Sequence, residues 1–100
     1  MIYHKLVRDK IPEHILKNGR TPIIHIADEE EYWKKLKEKL NEEVAEFQQD
    51  ENIEELADVL EVIGAIIQYK NFSPTEISGV KKKKAEDRGR FTKRIILDES

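Results

Sequence analysis

The stretch 40–63, LNEEVAEFQQDENIEELADVLEVI, decides the fold, because two apolar helical patterns meet in it across a short polar run. Leu40, Val44 and Phe47 precede the run, and Leu56, Val59, Leu60 and Ile63 follow it, all at the three- and four-residue steps of a helix face. The run itself, Gln48 to Asn52, has no apolar member, so the chain turns there and the helices become antiparallel neighbours. Carboxylates are set into both patterns at i, i+3: Glu43 with Glu46, then Glu55 with Asp58. Such partners lie only about 60° apart around the axis, so each pair makes one acidic stripe. In an antiparallel hairpin, residues whose numbers share a sum sit at the same height, and 43/58 and 46/55 share theirs. The spacing therefore predicts Glu43 opposite Asp58 and Glu46 opposite Glu55.

Outward from the hairpin, Asp28 followed by Glu31 reads as an N-cap with its reciprocal partner, and Trp33 and Leu36 extend the stripe, so a long helix should run from there to about Gln49. The second helix, roughly Ile53 to Lys70, has little polar face, which predicts that it is the central helix or is buried from several sides. Asp58 is costly in such a helix unless paired. Asn71 can end it, and Ser73-Pro74-Thr75-Glu76 starts a third helix reaching about Asp87, with Gly89 as its stop. Upstream, a short helix fits from about Pro12 to Lys17, ended by Asn18-Gly19. The runs TPIIHI (21–26) and RIIL (94–97) are β-branched and read as short terminal strands able to pair. The expected architecture is one all-α domain over 1–100, an antiparallel helical hairpin plus a third helix.

With 100 residues and 38% hydrophobic content the core is limited, and oligomerisation would enlarge it. A net charge of -3 disfavours nucleic acid or an anionic membrane as a partner. The chain has no cysteine, which removes disulfides, thiolate zinc sites and thiol nucleophiles and fits a reducing compartment. MIYHKLVRDK has no apolar signal core and no apolar run is long enough to span a bilayer, so a cytoplasmic protein is expected.

Four carboxylates facing one another repel, and a hard divalent cation relieves this. Mg²⁺, with Mn²⁺ as the alternative, takes oxygen ligands, keeps waters and binds substrate phosphates. His4, His14 and His25 are not spaced as a helical pair, which argues against zinc or copper. The competing reading is a solvated acidic face in a chain that is 39% charged. Glu61 continues the Asp58 stripe, as a further ligand, a water base or a surface charge.

The residues Glu42-Glu43-x-x-Glu46 and Glu55-x-x-Asp58 resemble the EExxE…ExxD signature of the all-α nucleoside triphosphate pyrophosphohydrolases, the MazG-like superfamily. The opening KLVRDKIP is similar to a subgroup labelled phosphoribosyl-ATP pyrophosphohydrolase-like. The resemblance implies Mg²⁺-dependent cleavage of a nucleotide between its α and β phosphates, with Glu43, Glu46, Glu55 and Asp58 as metal ligands. It also implies a four-helix bundle. This chain offers two long helices and one medium one, so a homodimer, or a higher homo-oligomer built from dimers, is expected to complete it.

Basic residues at both ends, Lys5, Arg8 and Lys10, then Lys84, Arg88 and Arg94, can supply phosphate ligands; solvated surface charge is the alternative for each. Trp33 and Tyr69 either reach a base or sit in the core. Two functions follow, a nucleotide pyrophosphohydrolase and a non-catalytic helical dimer that binds a nucleotide or a protein.

Overall fold

A computed structural model describes residues 3–100. It contains four helices, α1 (Ile11–Lys17), α2 (Glu29–Gln49), α3 (Ile53–Lys70) and α4 (Pro74–Arg88). The chain is all-α, and no strand forms among the described residues. TPIIHI and RIIL form no strand among the described residues: Ile23 is 98% exposed, Ile95 to Leu97 face solvent, and Arg94 sits at φ 56°, so the expected terminal strands are absent. A two-stranded pairing needs an apolar surface beneath it, and neither run has one here.

Local chemistry fixes the helix ends. The Asp28 carboxylate accepts a hydrogen bond from the Glu31 amide at 2.9 Å, Asn52 Oδ1 accepts from Glu55 at 2.9 Å, and Ser73 Oγ accepts from Glu76 at 3.2 Å. Each satisfies one amide that the helix leaves without a partner. The reciprocal half of the expected Asp28–Glu31 box is replaced, because the Glu31 carboxylate turns to His25 Nε2 at 2.9 and 3.0 Å. Asn71 closes α3 in the left-handed conformation (φ 60°), and Gly89 ends α4 at φ 82°.

α2 and α3 are joined by residues 50–52 and pack against each other. Their antiparallel register shows at the end away from the turn, where Tyr69 stacks on Trp33 (centroids 5.2 Å, planes 5° apart) and meets Tyr32 edge-on at 5.6 Å. The 32/69 pair has the same number sum as 43/58, so one register runs the length of the hairpin. Trp33 and Tyr69 are thereby used on each other, with Lys70 over the indole at 4.5 Å.

Leu36 (1% exposed) and Val62 (8%) are the buried apolar side chains of the described residues. The expectation that α3 is enclosed on several sides is not met within one chain: Leu56, Leu60 and Ile63 form an open apolar stripe, because α2 is the neighbour that covers it and does so on one face. α4 contains no buried residue.

Candidate functional site

The hairpin brings Glu43 from the middle of α2 to Glu55 and Asp58 in the first turns of α3. One carboxylate oxygen from each lies within 4.8 Å of the other two. Glu43 is buried (6% exposed), while Glu55 and Asp58 are half-buried. Lys39 Nζ sits one turn before Glu43 and pairs with it at 3.2 Å, while also reaching Glu42 at 3.3 Å. This occupies one Glu43 oxygen. The other, Oε2, is buried with no hydrogen-bond partner, and so is Glu55 Oε2. Buried acceptors without donors are uncommon and costly. Two of them in one carboxylate cluster make a pocket of negative charge that a cation fits.

Glu46 does not join this group and stays exposed. Its carboxyl is nevertheless held above the ordinary carboxylate range, first by repulsion from Glu43, then by partial desolvation and the charges of Glu55 and Glu42. The register thus brings together three of the four sequence-picked carboxylates and leaves the fourth at the rim. Glu46 leans out to solvent, whereas Glu55, at the same height by the number sum, is half-buried.

The N-terminal arm lies on the same face. Arg8 Nη2 donates to Asp58 Oδ1 at 2.6 Å, and Arg8 Nη1 stands 4.0 Å from Glu61. Lys5 Nζ approaches Glu42 at 3.4 Å, and Lys35 Nζ on α2 donates to the His4 carbonyl at 2.8 Å, tying down the backbone of the arm. The basic residues of KLVRDK are therefore beside the acidic cluster as two charges, Lys5 and Arg8. Among the described residues no ion pair joins Lys10, Lys84, Arg88 or Arg94 to the cluster. Arg88 meets its neighbour Asp87 at 3.9 Å, Lys84 edges an open hollow with Phe72, Ile77 and Val80, and Arg94 lies in the exposed tail.

Sequence reasoning did not single out Lys39 or Lys35. Lys39 had a signal: a lysine four residues before Glu43 shares its face of the helix. Lys35 had none, since its partner is a main-chain carbonyl far away in sequence.

No family model matches the chain. A Mycolicibacterium smegmatis (strain ATCC 700084 / mc(2)155) protein, described as uncharacterized, is 56% identical over 43 residues, or 43% of this chain. The matched stretch is 44% of that relative's own length, so the chain spans less than half of it. No solved structure matches.

Proposed function

We propose that the protein is a Mg²⁺-dependent nucleotide pyrophosphohydrolase of the MazG-like kind, cleaving a nucleoside triphosphate or related nucleotide to the monophosphate and pyrophosphate. The observation that carries this reading is the convergence of Glu43, Glu55 and Asp58 with two buried oxygens left without donors. An all-oxygen donor set suits a hard ion, and the orphaned oxygens fit one. When bound, Mg²⁺ supplies neutralisation of phosphate oxygens and a more acidic water.

The chain's own groups do the rest. Glu43, Glu55 and Asp58 hold the ion, and Glu46 at the rim is the fourth carboxylate that the resemblance assigns to it. Lys39 fixes the Glu43 rotamer through its 3.2 Å pair. Lys5 and Arg8 border the cluster and offer a point charge and a planar fork to the phosphates. Lys10, Lys84, Arg88 and Arg94 stand apart from it within one chain, so a phosphate role for them requires a second copy. The stripe of Leu56, Leu60 and Ile63 supports a homodimer in which two hairpins make a four-helix core. No helix among the described residues is long and apolar enough to cross a membrane.

The test is pyrophosphate release from a broad nucleotide panel with Mg²⁺. Asp58→Asn and Glu43→Gln are expected to abolish release while circular dichroism stays helical. Absence of turnover together with absence of divalent-ion binding by calorimetry overturns the reading. The same exposed apolar stripe favours a second reading, a non-catalytic helical dimer that binds a nucleotide or protein; tight nucleotide binding without product selects it.

A further inference from the structure

Arg8 lies where it competes with a cation. Its guanidinium makes the shortest ion pair of the described residues, 2.6 Å to Asp58, and does so next to two carboxylate oxygens that have no donor. Its other nitrogen already stands 4.0 Å from Glu61, one turn further along α3. Asp58 and Glu61 are at i, i+3, so a guanidinium can pass from one to the other by side-chain rotation alone, with the arm's backbone still tied to Lys35.

We propose that Arg8 is a displaceable internal counter-ion of the acidic cluster: a divalent ion entering between Glu43, Glu55 and Asp58 expels it from Asp58 to Glu61, which leaves its fork facing outward and open to an anion. The inference rests on the reading of the cluster as a metal site. Its consequence is that ion affinity is held down by the protein's own arginine, and that ion binding frees an anion-binding group at the same rim. Because linkage is reciprocal, an anion that captures Arg8 tightens the divalent ion by the same factor.

The experiment uses the full chain with Mg²⁺ alone, read by calorimetry, together with the Arg8 side-chain Nε–Hε resonance. Arg8→Ala is expected to tighten Mg²⁺ by about fivefold, the worth of a partly exposed ion pair. Lys5→Ala removes an equal charge from the same arm but one that faces Glu42, and is expected to change affinity by less than about twofold. Glu61→Gln takes away the landing place and should weaken Mg²⁺ in the wild-type background, with a smaller effect in the Arg8→Ala background. In the wild type the Arg8 resonance should shift with the midpoint of ion binding. Equal effects of Arg8→Ala and Lys5→Ala, or an Arg8 resonance that ignores the ion, overturn the proposal while leaving the metal site intact. Failure of every variant and of the wild type to bind Mg²⁺ overturns both.

Discussion

Replacing Glu43 with methionine should make the ion-free protein more stable. Glu43 is 6% exposed, and its Oε2 has no donor, a state that costs about 1–3 kcal/mol. Methionine is of similar length, forms helix as readily and removes both the orphan acceptor and the repulsion among neighbouring carboxylates. Against this stands the Lys39 pair, whose side chains are 17% and 8% exposed; Lys39 keeps its second partner, Glu42, at 3.3 Å, so the substitution leaves no lone buried charge and the loss is roughly 1 kcal/mol. The balance favours Glu43→Met by up to about 2 kcal/mol. A domain of this size converts each kcal/mol into roughly 4–8 °C of melting temperature. The assay is paired thermal melts at one protein concentration, in EDTA and in excess Mg²⁺. In EDTA the variant should melt higher. At about one hundred times its Kd, Mg²⁺ adds about 2.7 kcal/mol to the wild type and nothing to a variant that cannot bind it, so the order inverts. A variant that melts lower in EDTA refutes the account of Glu43 as a strained ligand. A wild type indifferent to Mg²⁺ refutes the metal itself.

Leu36→Ala should cost about 2–5 kcal/mol in urea unfolding, since Leu36 is fully buried in a core with little else to compensate; a loss under about 1 kcal/mol would place the core elsewhere. Glu46→Gln should stabilise the EDTA-treated protein at neutral pH. The raised folded-state pKa means that wild type loses stability as pH rises through it, so the gap between the two should close as pH falls below the ordinary carboxylate range. If the proposed dimer forms, Leu60→Lys should lower the association state seen by analytical ultracentrifugation with helicity unchanged, because Leu60 is 59% exposed within the apolar stripe; a wild type that is already a monomer, or a variant of unaltered mass, refutes a dimer built on this stripe.

The hairpin was legible because each of its signals is local. Helical periodicity and the polar turn together dictate one register, and equal number sums then placed Glu43 beside Asp58. Glu46 escaped the same arithmetic because height along a hairpin says nothing of how far a side chain leans outward. The terminal β-branched runs misled for a related reason. Propensity describes what a segment tolerates, whereas a strand exists only where a partner and a covering face are present, and Ile23 and Ile95 have neither. The arm was legible in composition but not in partners: that Arg8 meets Asp58 while Lys10 does not depends on the path of residues 5–10 over α2 and α3, which carries no sequence periodicity.

The aromatic cluster at the open end of the hairpin has a practical consequence. Trp33 is the sole tryptophan of the chain, and its indole stacks on Tyr69 across the two helices at 5.2 Å. It lies ten residues before Glu43 along α2, a separation of about 15 Å at the helical rise. Its emission is therefore an intrinsic optical gauge of whether the hairpin is zipped, blind to what happens among the carboxylates. A substitution that silences the acidic cluster without changing that fluorescence has altered chemistry, and one that changes both has opened the helices.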